Sequence, residues 1–160
     1  MNGLETYIMK QGAVVEHLAA AAEQIPPDKA TWRPYPKALP WMALIDHTSI
    51  GRRIMVLKTL KGEPFDFPGC FFDPANHSKS PQEAAQAQRE SWAALKSFLE
   101  SQPADFAARE VMFTKGRKMK AEQLLWFAYE ENVHHRGQAW IYARMNGLTP
   151  PAIWGTERPD

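Results

Sequence analysis

Apolar residues recur at spacings of three, four and seven along most of the chain, and proline marks where that rhythm stops. Proline is absent from residues 1–25, 41–63, 82–102 and 104–149 and concentrated between those windows. Because proline breaks helix interiors and is tolerated in loops or at a first turn, the windows read as four helices. The first places Leu4, Ile8, Val15, Leu18 and Ala22 near one stripe. The second begins after Pro40, keeps Leu44, His47, Ile54, Leu57 and Leu60 broadly in phase, and stops at Gly62. The third opens with Ser80 as N-cap, Pro81 at the first helical position and Glu83 completing a capping box; Ala87, Ser91, Leu95 and Phe98 follow on a helical period. The fourth, roughly Lys120 to Asn146, ends at Gly147 with Pro150 and Pro151 beyond.

The intervening stretches at about 26–39 and 63–79 are long and rich in proline and aromatic residues, as crossovers at bundle ends are. Between the third and fourth helices, "REVMFTKGRK" is compatible with a short hairpin or extended arm. The pattern predicts an all-α protein, a four-helix bundle with long crossover connections, forming one domain over residues 1–160.

Polar residues interrupt the inward stripes. On the fourth helix Leu124, Ala128, Glu131, His135, Gln138 and Tyr142 follow at spacings of three or four, so a stripe that begins and ends apolar carries polar groups at its centre. Glu131 and His135 stand at i and i+4, close enough to grip one ion. On the second helix His47 lies three after Leu44 and seven before Ile54, again on the inward side. A carboxylate and two imidazoles converging from facing helices is how bundles build metal sites. Spacing alone also admits a hydrogen-bonded polar cluster, with His47 a core histidine and Glu131 paired to His135. A buried carboxylate without a partner is costly or takes up a proton, so a partner is expected under either reading.

His134 lies one step round the helix and shares a face with Glu130, which puts it at the rim of such a site or at an interface. His17 reads as structural, His77 as a loop residue and Cys70 as a small packing residue. Trp41 and Trp126 are candidates for pocket walls.

Charge narrows the classes. Nineteen basic against eighteen acidic residues leave a formal net charge of +1, which gives nucleic acid and anionic membrane no electrostatic footing. Glu5, Lys10 and Glu16 break up the opening segment, so no signal sequence is expected. No run approaches the length of a membrane span. The single Cys70 cannot form an intramolecular disulfide, which fits a reducing cytoplasm as the expected compartment.

The segment "HHRGQAWIYARMNGLTPPAIWG" resembles the C-terminal helix and tail of the DinB-like (DinB/YfiT-like) superfamily, with Trp154-Gly155 in the place of that tail's closing pair. "ALIDHTSIGRR" is similar to the family's second-helix histidine motif, and "WRPYPKALPW" to its lead-in. The resemblance implies a four-helix bundle, commonly dimeric, with a divalent metal held by three histidines. One comes from the second helix and two from an H-x-x-x-H on the last. His47 and His135 match ligands, and the remaining position falls on Glu131, giving a two-histidine, one-carboxylate set. Zinc or nickel comes first for such donors, then iron or manganese. The resemblance also implies a metal-dependent thiol transferase or hydrolase acting on a small molecule, with a low-molecular-weight thiol as a partner. Gln138, one turn beyond His135, would orient a ligand imidazole or touch substrate. The alternative is a non-catalytic bundle whose degenerate site has lost its metal and which acts by dimerisation or ligand binding.

Overall fold

The structure, a computed structural model, describes residues 3–153. Trp154 and Gly155, the end of the tail motif, lie outside the described residues. Four helical rods form the bundle. Helix α1 spans Gly3–Glu23. The second rod is continuous but composite: α2 (Trp41–Ile50), a π-helical stretch (Gly51–Val56), then α3 (Leu57–Lys61). Helix α4 spans Pro81–Glu100 and α5 spans Ala121–Met145.

The helix ends follow from local chemistry. Ser80 Oγ accepts from the Glu83 N–H at 3.2 Å, as a cap should, while Glu83 Oε2 accepts from the Lys79 N–H, one residue earlier than a regular capping box. Gly62 closes α3 in the left-handed region at φ 72°, where a side chain would be strained. The "REVMFTKGRK" segment does form a hairpin: strands β1 (Glu110–Met112) and β2 (Lys118–Lys120) pair antiparallel with Val111 opposite Met119. Its buried Val111 packs beneath α3 and α5 with Leu57, Leu60 and Ala121.

The π-helical stretch was not legible as such. Regular helical phase carries positions four apart round the axis by about 40° per step. His47, Gly51 and Met55 nevertheless line one cavity, as do Thr48, Arg52 and Val56. A wider turn holds residues at spacing four on one face, and π segments of this kind recur at functional sites.

The core divides by level. At one end Leu18, Ala22, Trp41, Ile45, Ala84 and Ala143 pack together; at the other Tyr7, Val56, Leu95, Leu99, Leu124 and Leu125 do. Between them in every rod stands a buried polar residue: Gln11, Arg52, Gln88 with Ser91, and Asn132. Arg52 ties this layer together. One Nη donates to the Gln88 carbonyl and to Ser91 Oγ, the other to Gln88 Oε1 and Asn132 Oδ1. Gln88 in turn donates from Nε2 to the Ile45 carbonyl and Thr48 Oγ1. A guanidinium this deep needs acceptors to keep its charge, and both Nη groups find them, whereas the buried Nε has none. Among the described residues no helix is long and apolar enough to cross a membrane.

Candidate metal centre

His47 sits in the last turn of α2, just before the helix widens, and Glu131 and His135 occupy successive turns of α5. One ligand-type atom from each lies within 4.8 Å of the others. The two imidazole centroids are 4.8 Å apart, and His135 Nε2 is 3.5 Å from Glu131 Oε2. The sequence-predicted trio is therefore one cluster in space. His135 is buried, whereas the Glu131 side chain keeps 46% of its surface exposed, so the group has an inner and an outer side.

Gln138 fixes the state of His135. Its carbonyl oxygen Oε1 lies 2.8 Å from His135 Nδ1 and can only accept, so Nδ1 carries the proton and Nε2 keeps its lone pair. That Nε2 is buried and has no hydrogen-bond partner. Burial pushes the His135 pKa below the ordinary histidine range, with the Gln138 bond and Glu131 pulling the other way. A neutral nitrogen lone pair thus faces a carboxylate oxygen. Two acceptors opposed at this distance repel unless a cation lies between them. His47 is held neutral more strongly: burial, then His135 and His77, push it down to about 4. Neutral imidazoles and a carboxylate are the protonation states in which these side chains ligate metals, so the donor set fits a divalent cation.

Neighbouring residues hold the ligands. Phe71 stacks on His47 with centroids 4.4 Å apart and planes at 25°. Asp46, the residue before His47, is buried and accepts from the Ser78 N–H and Ser78 Oγ at 2.9 and 2.6 Å. Burial raises the Asp46 pKa, opposed by the Ser78 bonds and by His77, whose Nδ1 is 3.7 Å from Oδ2. His77 Nε2 donates to the Phe71 carbonyl at 2.9 Å. His77 is a loop residue as expected, yet it lines the same cavity as the trio.

That cavity has a volume of about 620 Å³, with His47, Glu131 and His135 on one side and Phe67, Phe71 and Phe113 among its walls. Trp41 and Trp126, read as wall candidates, do not line it. Trp41 is fully buried against Trp32 and Tyr142, and Trp126 packs edge-on to Tyr7 and Tyr129. His134 is exposed, its centroid 5.1 Å from that of His135, with no place in the trio. Cys70 is buried with Ile50 and Ile54 as a packing residue. Arg136 lies over the Trp140 ring and faces His17 Nδ1 at 3.4 Å, away from the cluster.

Sequence reasoning passed over Asp46, Gln88 and Asn132, and the Arg52-Arg53 pair, which reads in sequence as a solvated basic face, instead has Arg52 buried. A signal existed for two of them. Asn132 continues the small apolar stripe Ala121, Leu125, Ala128 toward Ala139 and Ala143, and Gln88 falls on the stripe of Ala84, Ser91, Leu95 and Leu99.

The family model for the DinB superfamily matches residues 13–139. No curated protein matches the sequence. Among solved structures, a DinB-like protein from Bacillus subtilis is similar with a TM-score of 0.73 and 20% identity, over 96% of this chain and 99% of its own. A DinB-like protein from Bacillus cereus gives 0.75 and 18%, over 94% and 97%. A mycothiol-dependent maleylpyruvate isomerase gives 0.68 and 16%; 85% of this chain aligns to 60% of that one.

Proposed function

This chain belongs to the DinB superfamily, and on that premise we propose that it is a divalent-metal-dependent enzyme of thiol transferase or hydrolase type. His47, Glu131 and His135 are its metal ligands, with zinc or nickel as the first expectation. The observation that carries this reading is the lone pair of His135 Nε2, buried and directed at a carboxylate with no hydrogen bond to satisfy it.

A bound divalent cation supplies Lewis acidity at this point, polarising an electrophile or lowering the pKa of a nucleophile. The chain's own residues do the rest. Gln138 holds the His135 tautomer and ring orientation. Glu131 is the one carboxylate among the described residues lining the cavity, and it would complete the ligand set beside the two imidazoles. Phe67, Phe71 and Phe113 give the cavity beside the ligands an apolar wall. A low-molecular-weight thiol as co-substrate is supported by the fold shared with an isomerase that is mycothiol-dependent by name. Assembly as a homodimer belongs to the same reading, and Ile141 and Met145 leave apolar surface exposed on α5.

The exposure of Glu131 favours a second reading, a non-catalytic bundle with a degenerate site that acts by dimerisation or ligand binding. Metal analysis separates the two. Protein purified without a histidine tag should carry close to one zinc or nickel per chain. His47→Ala, Glu131→Ala and His135→Ala should each retain the fold by circular dichroism and lose most of the metal. Wild-type protein that stays far below one ion per chain after resupply with zinc, nickel or manganese rules out the enzyme reading.

A further inference from the structure

Among the described residues lining the cavity, two buried side-chain polar atoms have no hydrogen-bond partner: His135 Nε2 and Arg52 Nε. A buried polar atom left unpaired costs free energy, so each calls for a partner from outside the chain. His135 Nε2 is an acceptor, and the metal of the proposed function meets it. Arg52 Nε is the opposite kind of atom, an N–H that can only donate. Its polar neighbours on the wall are already engaged. Thr48 Oγ1 donates to the Ile45 carbonyl and accepts from Gln88 Nε2. Asn132 Oδ1 accepts from Arg52, and its Nδ2 donates to the Ala128 carbonyl. His77 Nε2 donates to the Phe71 carbonyl.

The fold holds this donor in a fixed position. Arg52 stands in the π-helical stretch, which sets it on the cavity wall with Thr48 and Val56. Its two Nη atoms are tied to Gln88 and Ser91 on α4 and to Asn132 on α5. None of those acceptors carries a charge: they are a backbone carbonyl, a hydroxyl and two side-chain amides. Burial pushes the Arg52 pKa down to about 10, with Tyr7 pulling the other way. Nε is closed to bulk water, so its partner is either a molecule seated against Arg52 inside the cavity or a trapped water. At about 620 Å³ the cavity has the size of a small-molecule site, and such sites orient a mostly apolar compound through a few fixed polar groups. Phe67, Phe71, Phe113 and Phe127 supply the apolar part here.

We infer that Arg52 Nε donates a hydrogen bond to a carbonyl or carboxylate oxygen of the compound held in this cavity, whose apolar body lies along the phenylalanines. That this compound is the substrate rests on the proposed function; the contact itself needs no metal. The shared chemistry is an oxygen acceptor on a flat carbon, and charge does not choose between its two sources, because Arg52 and Glu131 stand on the same lining with opposite signs. Water is the rival occupant. The Tyr7 hydroxyl and both amide atoms of Gln11 are also buried without partners, so a water between Arg52 and α1 would serve several of them. Arg52 lines the cavity, however, and neither Tyr7 nor Gln11 does, which favours a partner on the cavity side.

The test uses three probes of nearly one shape: acetophenone, benzoate and α-methylstyrene, the last with a methylene where acetophenone has its oxygen. Each is titrated by nuclear magnetic resonance into metal-free full-length protein, following the Nε–H signal of Arg52 assigned through its own side-chain carbons. At least one oxygen probe should bind about tenfold or more tightly than α-methylstyrene, as a hydrogen bond from a charged donor implies. The same probe should move the Nε–H proton downfield, and the hydrocarbon should not. A response to acetophenone alone identifies a neutral carbonyl as the source, and a response to benzoate alone a carboxylate. Arg52→Lys should bring acetophenone down to the affinity of α-methylstyrene and leave the hydrocarbon's affinity unchanged, a selective loss that damage to the bundle would not produce. Failure of both oxygen probes to bind overturns the inference, as does equal binding of the hydrocarbon. So does an Nε–H that stays in contact with water while probe is bound. Zinc content is assayed on separate aliquots after resupply. Protein that passes the probe test but never takes up zinc loses the metal reading and keeps this one; one zinc per chain with an unmoved Nε–H does the opposite.

Discussion

Gln138 Oε1 accepts from His135 Nδ1 across 2.8 Å, one turn of α5 apart, and thereby points the other ring nitrogen at Glu131 and His47. The bond lies outside the trio yet decides whether His135 can ligate at all. Gln138→Leu should therefore weaken zinc affinity by about 10- to 100-fold, the usual effect of losing a partner that orients a ligating histidine. Competition with a chromophoric chelator measures this. Gln138→Glu restores an acceptor and should recover most of the affinity. Unchanged affinity in Gln138→Leu is incompatible with ligation through Nε2.

Gln88 joins α2 to α4 by donating to the Ile45 carbonyl and Thr48, and accepts from Arg52 through both its side-chain and backbone oxygens. Gln88→Leu removes the side-chain partners of two helices and leaves a buried guanidinium one acceptor short. The cost should be about 3 kcal/mol in urea unfolding, since a buried charge that loses a partner is far more expensive than a neutral one. The double change Arg52→Met with Gln88→Leu removes the charge as well and should cost less than the sum of the two single changes. Strict additivity would disprove the coupling.

Most of the bundle was legible because proline placement and apolar spacing are local signals. The cap at Ser80, the glycine stop at Gly62 and the grouping of His47, Glu131 and His135 each follow from residues a few positions apart on an element. What was not legible depends on partners far away in sequence. Arg52 is buried through contacts 36 to 80 residues away, and the widened turn that brings it inward has no helical-wheel signature. Tryptophan misled for a similar reason. Trp41 has the chemistry of a pocket wall, but Trp32 and Tyr142 enclose it completely.

Acid should destabilise the metal-free protein through its neutral histidines. His47 is held near 4 in the fold against an ordinary value of 6.5, and His135 and His17 are also lowered, each chiefly by burial. Between those values the unfolded chain binds protons that the folded chain refuses. Stability is then present above about pH 6.5 and is lost as pH falls toward 4. For His47 alone the loss is on the order of 2 kcal/mol, allowing for the part of the ring in contact with solvent. Asp46, with its raised pKa, works in the opposite sense, adding stability as pH falls through that raised value. Urea midpoints measured from pH 7.5 to 4.5 should decline, and His47→Gln should flatten the decline. A stability maximum near pH 5 in wild type would contradict the buried, neutral state of these rings.

Asp46 governs the cavity from behind its wall. Its two oxygens receive the Ser78 N–H and hydroxyl, while His77 beside it donates to the Phe71 carbonyl and Asn76 Nδ2 donates to the Cys70 carbonyl. The connection that carries Phe67 and Phe71 is thus anchored to α2 one residue from His47. Asp46→Ala leaves the Ser78 donors without their acceptor and should cost about 2–3 kcal/mol, since hydrogen bonds to a buried charge exceed the neutral average. Ser78→Ala should cost about half as much, because one of the two bonds, from the backbone N–H, survives. The distinguishing readout is local. In Asp46→Ala, proteolysis within 63–79 should accelerate, with zinc content near that of wild type. Ser80→Ala, which removes only the cap of α4, should lose about 1 kcal/mol and leave the proteolysis of that segment unchanged. Equal proteolysis in both variants would mean that Asp46 stabilises the bundle in general and does not hold the cavity wall in particular.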